Sequence, residues 1–425
     1  MNVSSAATGC ARPARGRRRR KDTIVSRVTT LILRAARPIW RAARQSANRV
    51  RALFEAPRKF SKGTSGDCFV QALAARQIAY RYLRAAEITN SRLAKRTVVS
   101  FRANDGCYYF DSDCCLRVSD PNKVMIPGAR VNGNIGEYAR QKDLVKALLQ
   151  HHGLSIPKGK AFSRDDLQKA EAFFADFSAS VSDDVCVKPR IGRQGRHVFL
   201  GIRSLSSFRV AFTAVGKKYG SVLIEEMIPG RVYRFFCVAG RVVAIELGQP
   251  PNVEGDGIHT IAELVTAKNA ERRLNLAHGR HPIRIGRRES LFLRRAGLAV
   301  THVPKEGEII FLSARSNLHH GGEFSDATDD VHRSYVTLVE NAISHFPGLV
   351  LCGPDLAIQD ARLPATNNNY HILELNVRGP GLQTNHYPWR GAPRDTAGAI
   401  IDYLVNTPTR AVVSTSMATK AFHCP

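Results

Sequence analysis

Two apolar strands that carry acidic side chains constrain this chain more than any other feature of its sequence. Gly353–Ile358 contains Asp355, while Ile372–Leu375 contains Glu374 and is followed directly by Asn376. Strand residues alternate between faces, so Glu374 and Asn376 share a face, and Asp355 joins them if the strands pair. Unpaired carboxylates among apolar residues are costly. Two carboxylates and an amide oxygen form a hard oxygen site suited to Mg²⁺. The sequence therefore predicts a metal site, in preference to a solvated charged face.

Positive charge is concentrated at the start of the chain. The 425 residues, which suggest two or three domains, carry a formal net charge of +27. Residues 1–60 contain sixteen Lys or Arg against only Asp22 and Glu55, which is about half of the excess. Residues 1–21 are predicted to be disordered, and residues 22–56 show helical spacing of apolar side chains with arginines between them. This basic amphipathic helix could pack on the protein, contact an anionic membrane or nucleic acid, or serve as a transit-like presequence.

The nine cysteines are scattered, and no CxxC pair occurs. A disulfide framework is therefore not expected, and a reducing cytoplasm is the expected compartment. Cys107, Cys114 and Cys115 have no histidine nearby in the sequence, so buried small residues are favoured over a zinc site. No apolar run approaches the length of a membrane-spanning helix.

Periodicity divides the rest of the chain into alternating helices and strands. Residues 66–135 are predicted to form a small α/β domain, with a helix over Cys68–Ala86 and two strands around the turn Asn104–Gly106. A helix is predicted over Lys142–His151 and a hairpin around Ala239-Gly240. Asp355 and Glu374 lie on two later strands, which are antiparallel if a simple hairpin joins them.

The segment Val187–Arg196 places Lys188 at a strand end, beside a loop that contains Gly192 and Gly195. Glycine lets backbone N–H groups approach phosphate oxygens, and lysine adds a positive charge. By itself this pattern is a weak indication of phosphate binding, because any strand and turn could contain it.

Two further segments are ambiguous when taken alone. Leu223–Gly230 could bind the edge of an adenine ring. For that segment by itself, however, a buried strand with exposed acidic ends is the favoured interpretation. Arg315 opens a segment that ends in Gly321-Gly322, and its guanidinium could bind an oxyanion or phosphoryl group. A polar surface loop explains that segment equally well.

Taken together and in order, these segments carry a family resemblance. The chain from about Glu137 to Val405 resembles the ATP-grasp domain of cyanophycin synthetases and is more distantly similar to glutathione synthetase and to ribosomal-protein glutamate ligases. Gly255–Leu264 (GDGIHTIAEL) is the most family-specific stretch. The matching segments are Val187–Val198, Ile224–Arg234, Val253–Val265, Arg315–Gly322, Asp326–His332, Gly353–Ile358 and Leu373–Leu404.

The resemblance implies an α+β fold of the ATP-grasp type, in which two α+β lobes grip ATP. A small α/β pre-grasp domain and the basic N-terminal segment would precede it. The implied nucleotide-binding residues are Lys142, Lys188, Gly192, Gly195, Glu225, Glu226 and Ile228. The implied Mg²⁺ ligands, which could also take Mn²⁺, are Asp355, Glu374 and Asn376. Arg315 matches an arginine that holds an acyl phosphate, and Arg234 occupies the family's Gly-x-x-Tyr-Arg position.

The chain also departs from the family pattern. Val232 replaces an acidic residue that would bind ribose hydroxyls, and Gly248 stands where cyanophycin synthetases usually carry arginine. One extra residue occurs within Asn376–Gly381. A Mur-ligase-like half is missing from the sequence, so cyanophycin itself is not the expected product.

The sequence thus predicts a basic segment (1–60), a small α/β domain (61–136), an ATP-grasp domain (137–405) and a tail (406–425). The predicted activity is ATP-dependent amide or peptide bond formation through an acyl phosphate, with ADP and phosphate released and an amino acid or small peptide as substrate. One alternative is a degenerate ATP-grasp body whose basic N-terminus binds nucleic acid or an anionic membrane. Another is phosphorylation without amide formation. The oligomeric state is open, with a dimer as one expectation.

Overall fold

The computed structural model describes residues 56–119, 129–181, 184–192, 195–377, 381–409 and 411–412. The predicted basic helix and most of the predicted tail lie outside these residues. The chain divides into two compact units, one of Met1–Ala56 with Arg84–Ala86 and one of Pro57–Leu83 with Glu87–Pro425. Apart from the turn at Ala85–Glu87, all the features below belong to the second unit. No helix among the described residues is long and apolar enough to cross a membrane.

An antiparallel meander of five short strands begins the second unit. Helix α1 (Ser65–Ala75) precedes it, and its strands run in sequence order. They are β1 (Tyr80–Tyr82), β2 (Val98–Ala103), β3 (Gly106–Asp111), β4 (Leu116–Ser119) and β5 (Ala129–Arg130).

The prediction of one helix over Cys68–Ala86 was wrong in its second half. Gln77 has a φ of +55°, a left-handed conformation that ends the helix. Tyr80–Tyr82 then pairs with the strand that contains Val99 and Phe101, because that edge of the sheet offers unpaired backbone groups. The predicted pair of strands around Asn104 is confirmed.

A four-stranded antiparallel sheet with order β6-β9-β7-β8 forms a second layer. Its strands are β6 (Gly159–Ser163), β7 (Val185–Pro189), β8 (Phe199–Ile202) and β9 (Ser221–Glu226). Helices α4 (Leu167–Ser180) and α5 (Leu205–Tyr219) cover one face. The buried side chains of both helices and of β7 and β9 form one hydrophobic core, which fixes the direction of Lys188 and Glu225 at the strand ends.

The central sheet has five antiparallel strands. In spatial order they are β14 (Glu323–Asp326), β11 (Arg241–Gln249), β10 (Arg231–Val238), β15 (Leu351–Ile358) and β16 (Tyr370–Asn376). The predicted hairpin around Ala239-Gly240 and the antiparallel pairing of the two acidic strands are both confirmed.

Alternation along β10 separates two hydrophobic cores. Phe235 faces helices α3 (Lys142–His151) and α8 (Arg333–Ser344), whereas Phe236 faces α1, the first sheet and α10 (Thr396–Asn406). The first sheet therefore shares a core with the central sheet.

The remaining elements are short or peripheral. Strands β12 (Asn252–Glu254) and β13 (Ile309–Phe311) pair with each other and pack with α6 (Ile261–Arg272) and α7 (Arg287–Arg295) in a small satellite core. The other helices are α2 (Ile135–Tyr138) and α9 (Leu382–His386), and single 3₁₀ turns occur at Ala85–Glu87, Leu93–Lys95 and Leu318–His320.

Candidate functional site

The register of β15 and β16 brings the predicted metal ligands together. Asp355 lies directly opposite Glu374, and Gly353 lies opposite Asn376. Directly opposed residues share a face of an antiparallel sheet. Asp355, Glu374 and Asn376 therefore project from the same side of the central sheet.

A local irregularity produces this alignment. Leu356 pairs with Ile372, but Asp355 pairs with Glu374, so Leu373 is an extra residue on β16. In a regular pairing without this irregularity, Leu373 would stand opposite Asp355, and Glu374 would point to the opposite face of the sheet from Asp355. Bulges of this kind often re-aim side chains beside active sites.

Asp355 is held by an arginine and an amide. Arg234 donates from Nε to Asp355 Oδ1 (2.7 Å) and from Nη2 to Asp355 Oδ2 (2.8 Å). Asn376 Nδ2 donates to Asp355 Oδ2 (3.0 Å) and to the carbonyl oxygen of Gly353 (3.1 Å). Burial raises the pKa of Asp355 and the guanidinium opposes this rise, while the nearby Glu374 carboxylate adds to it.

Glu374 faces two lysines. The Lys142 Nζ atom lies 3.1 Å from Glu374 Oε2. Burial by itself would raise the pKa of Glu374, but the positive charges of Lys142 and Lys188 outweigh it and lower that pKa to about 2. Glu374 is therefore anionic at neutral pH, as a cation ligand must be.

Glu225 is the buried counter-charge of two lysines. Its side chain contacts Lys146 and, at 2.5 Å from Oε2, the Nζ atom of Lys188. Burial lowers the pKa of Lys146 to about 8, with the positive charge of Lys188 adding to this effect and Glu225 opposing it. The side chain of Glu225 thus holds the lysines in place, while its backbone is paired with Gly159 of β6 and Cys186 of β7 and is not available to an adenine edge.

Lys146 was missed by the sequence reasoning, although a signal was available. It lies four residues after Lys142 on α3, and residues at this spacing project from the same face of a helix. Helix α3 therefore directs two ammonium groups, one towards Glu374 and one towards Glu225.

The segment after β9 carries the other predicted adenine contacts. Glu226 accepts a hydrogen bond on Oε1 from the backbone N–H of Lys158 (2.7 Å), so its carboxylate ties β9 to the residues before β6. Ile228 follows the strand and is half-buried. Its backbone forms no hydrogen bond with another described residue that would compete with a ligand.

The glycine loop is tied to the Arg315 segment. Arg315 Nη1 donates to the carbonyl oxygens of Gly195 (2.9 Å) and Val198 (3.1 Å). Gly195 has a φ of +62°, which favours glycine, and a Cβ on Gly192 would lie 2.8 Å from Pro189 Cγ. Burial lowers the pKa of Arg315, and the nearby Arg288 lowers it further. In this arrangement Arg315 fixes the loop and does not lie within hydrogen-bonding distance of Asp355 or Glu374.

Charged residues continue in one row across all five strands of the central sheet. Arg234 lies opposite both Asp355 and Glu246, and Glu246 lies opposite Asp326. The row in spatial order is Asp326, Glu246, Arg234, Asp355 and Glu374. Asp326 is paired with Arg394 Nη2 at 2.7 Å.

Glu246 was also missed, and the sequence offered no signal for it. If the register continued regularly from the two-residue turn at Ala239-Gly240, Ile245 would stand opposite Arg234. A register shift between Phe236 and Cys237 leaves Val243 as an extra residue and brings Glu246 to that place. Burial raises the pKa of Glu246 to about 8, with the Arg234 charge opposing the rise and the carboxylates of Asp355 and Asp326 adding to it.

Two of the departures from the family pattern, Val232 and Gly248, face each other. Val232 on β10 pairs with Gly248 on β11. A Cβ at Gly248 would lie 3.1 Å from Phe324 Cε1 and 3.2 Å from Ser316 Cβ, and the Gly248 carbonyl accepts a hydrogen bond from Ser316 Oγ (2.9 Å). The space that an arginine would need at this position is therefore taken by Phe324 and Ser316.

Asp355, Glu374 and Asn376 fit the oxygen chemistry of a Mg²⁺ ion. The described part of the chain has no cluster of three or more His, Cys, Asp or Glu side chains arranged for a metal. A site here therefore needs the amide oxygen of Asn376 and the oxygens of a bound phosphate to complete it. Asn376 would have to turn, because its Nδ2 atom faces Asp355 as placed.

No family model matches the chain. The glutathione biosynthesis bifunctional protein GshAB of Clostridium perfringens is 32% identical over 269 residues, which are 62% of this chain and 34% of that protein. The cyanophycin synthetase of Trichormus variabilis is 31% identical over 271 residues, which are 63% of this chain and 29% of that protein. The chain thus spans about a third of the length of these curated relatives.

A solved structure agrees with these relatives. The crystal structure of a bifunctional glutathione synthetase from Pasteurella multocida superposes with a TM-score of 0.53 at 25% sequence identity. The match covers 80% of this chain and 44% of that one. The sequence relatives and this structural neighbour therefore point to the same fold.

Proposed function

We propose that this chain, which has the ATP-grasp fold and resembles ATP-grasp ligases such as cyanophycin synthetase, joins a carboxylic acid to an amine at the expense of ATP. The observation that carries the proposal is the placement of Asp355, Glu374 and Asn376 on one face, with Lys142 and Lys188 beside Glu374. Oxygen ligands opposite ammonium groups are the arrangement that phosphoryl transfer requires.

The predicted Mg²⁺ would be held by Asp355, Glu374 and Asn376 and would neutralise charge on the ATP phosphates, with Mn²⁺ as a substitute. Lys142 and Lys188 neutralise the remaining phosphate charge from the opposite side. Gly192 and Gly195 let the backbone of the loop approach the phosphates.

In the first step, an oxygen of the substrate carboxylate attacks the γ-phosphorus of ATP. The bond from that phosphorus to the β,γ-bridging oxygen breaks, and ADP leaves as the acyl phosphate forms. Arg315, together with Arg234, stabilises the charge that spreads over the phosphoryl oxygens.

In the second step, the amine nitrogen attacks the acyl carbon. The bond from carbon to the phosphate oxygen breaks, inorganic phosphate leaves and the nitrogen loses a proton, which gives the amide. The loop tied down by Arg315 excludes water, because an acyl phosphate hydrolyses readily.

The acid is proposed to be an amino acid or a small peptide. Seven described cysteines are free thiols, which agrees with a reducing cytoplasm as the compartment. The domain limits at 60, 136 and 405 stay proposals, as does contact of residues 1–60 with nucleic acid or an anionic membrane.

The proposal is tested by removing one group from each side of the site. Lys188→Ala and Glu374→Ala should each lower ATP turnover at least ~10²-fold, the usual contribution of a charge-stabilising group. The measurement is release of ADP and phosphate with a panel of amino acids and dipeptides, together with product mass. Lys217→Ala, at an exposed lysine on α5, is the matched control and should turn over like the wild type. Near-normal turnover by both site variants would overturn the proposal.

The basic N-terminus supports a second candidate, binding to an anionic polymer or surface. Sixteen basic residues in residues 1–60 would neutralise phosphates, so the affinity should fall as salt concentration rises. The comparison is RNA and liposome binding by the full chain and by residues 61–425. Equal binding by both would remove this candidate.

A further inference from the structure

Glu246 is buried, and no described residue forms an ion pair with it. Its side chain is 1% exposed, and neither Oε1 nor Oε2 has a hydrogen-bond partner among the described residues. Gly381 and Thr384 of the α9 region lie against it, but the Thr384 hydroxyl donates to the Gly381 carbonyl oxygen (3.0 Å). A carboxyl group buried in this way is unfavourable for the fold.

A donor for Glu246 stands directly opposite it. Arg234 and Glu246 are paired on neighbouring strands, where opposed Cβ atoms are about 5 Å apart. An arginine side chain spans that distance easily. Its guanidinium instead lies on the Asp355 side, with its central carbon 5.9 Å from the ring centre of Phe324. Arg234 thus has a carboxylate on either side and uses only one of them.

The partner that Arg234 uses is a predicted metal ligand. Both oxygens of Asp355 accept hydrogen bonds from Arg234, and Oδ2 also accepts one from Asn376. These three hydrogen bonds occupy three of the roughly four lone pairs of the carboxylate, and the positive guanidinium lies against both of its oxygens. A cation that ligates Asp355 is therefore repelled by Arg234, and it binds more tightly once Arg234 has released Asp355.

We propose that the Arg234 guanidinium has two binding positions, one at Asp355 and one at Glu246. It moves from Asp355 to Glu246 when a divalent cation binds to Asp355. This inference rests on the proposed function, because it assigns the cation to Asp355. Glu246 is then a positioning residue: it does not touch the cation, but it keeps Arg234 from competing for Asp355.

The proposal has two consequences of opposite sign. Replacing Glu246 by leucine should raise the thermal stability of the cation-free protein, because a buried polar group without a hydrogen-bond partner is replaced by an apolar side chain of similar size. The same change should weaken cation binding, because Arg234 then has no alternative partner.

The experiment titrates Mn²⁺ into the full-length chain with saturating ADP and follows free Mn²⁺ by electron paramagnetic resonance. Glu246→Gln should weaken Mn²⁺ binding by roughly tenfold, within the usual range of coupling between two sites. Asp326→Asn removes a carboxyl group one strand further away and serves as the control. It should change the affinity by less than about twofold, because Arg234 does not depend on it.

The deciding comparison repeats Glu246→Gln in an Arg234→Met background. Without the guanidinium, Asp355 is available in either case, so Glu246→Gln should have almost no effect there. An equal loss of affinity in both backgrounds would mean that Glu246 acts only through its charge, and would overturn the inference. So would unchanged Mn²⁺ binding by Glu246→Gln in the otherwise native chain.

Failure of the inference can be told apart from failure of the proposed function. If the wild type binds Mn²⁺ with ADP and the variants show no coupling, only the role of Glu246 is lost. If the wild type binds no Mn²⁺ with ADP, the metal site and the inference fail together. If Glu246→Gln does not fold, Glu246→Leu is used in both backgrounds, because it also removes the carboxyl group. Thermal unfolding shows whether each variant is folded.

Discussion

At the level of single residues, the cluster of Glu225, Lys146 and Lys188 shows how buried charge prepares the site. One carboxylate lies between two ammonium groups, and all three residues are buried. The Glu225 charge keeps Lys188 protonated and raises its pKa despite burial. Lys146 is more affected by burial and by the Lys188 charge, and its pKa falls. The cluster therefore holds a permanently charged lysine where a phosphate would bind.

The shifted lysine predicts a pH dependence of stability. The pKa of Lys146 is about 8 in the folded protein and 10.5 in its ordinary state, so between these values the unfolded chain binds more protons. The free energy of unfolding should therefore rise with pH across this window. Below pH 8 the folded protein carries the full cost of keeping the buried Lys146 protonated. Lys146→Met removes this contribution, so the wild type should gain stability relative to the variant as the pH rises from 8 to 10.5.

Urea unfolding at several pH values measures this difference. Lys217→Met, at an exposed lysine, is the control. Its free energy of unfolding should differ from that of the wild type by a constant amount between pH 8 and 10.5. A constant difference between wild type and Lys146→Met would show that Lys146 is not perturbed in the folded protein.

At the level of secondary-structure elements, helix α6 explains the most family-specific stretch of the sequence. Thr260 Oγ1 accepts the backbone N–H of Glu263 (3.3 Å), and Glu263 Oε2 accepts the backbone N–H of Thr260 (2.8 Å). This is a capping box. Asp256 Oδ1 accepts the N–H groups of Ile258 (2.9 Å) and His259 (2.8 Å), which shapes the turn before the helix. The motif thus builds a helix start.

Removing the cap should affect stability and leave catalysis unchanged. Thr260→Ala is expected to lower the free energy of unfolding by about 1 kcal/mol, the usual contribution of an N-cap side chain. Turnover with ATP should remain that of the wild type. Thr266→Ala, on an exposed position of the same helix, is the control and should be close to neutral. A loss of turnover without loss of stability in Thr260→Ala would instead give this stretch a role in the chemistry.

The same level shows what the sequence could and could not predict. Alternation and turn residues were sufficient for the hairpin around Ala239-Gly240 and for the pairing of the strands that carry Asp355 and Glu374. They were not sufficient for the irregularities at Val243 and Leu373, because an extra residue in a strand depends on tertiary packing. Those two residues decide which side chains stand opposite Arg234 and Asp355. The partner of Arg234 therefore required the structure.

At the level of the whole molecule, two sheets supply opposite sides of the proposed site. The central sheet contributes the row of charges from Asp326 to Glu374, and the four-stranded sheet contributes Lys188 and Glu225. Helix α3 adds Lys142 and Lys146 between them. Arg315 connects the satellite region to the glycine loop. The separate hydrophobic cores of the two sheets make each a rigid support, which is what precise placement of phosphate-binding groups requires.

Trapping of the acyl phosphate tests the proposed chemistry most directly, because it needs no knowledge of the amine. The full-length chain is incubated with Mg²⁺, ATP, hydroxylamine and a panel of amino acids and small peptides. At least one acid should give a hydroxamate together with ADP and phosphate, and Lys188→Ala and Glu374→Ala should lose this product. ADP formation with a stable phosphorylated substrate and no hydroxamate would contradict the ligase account and indicate simple phosphorylation.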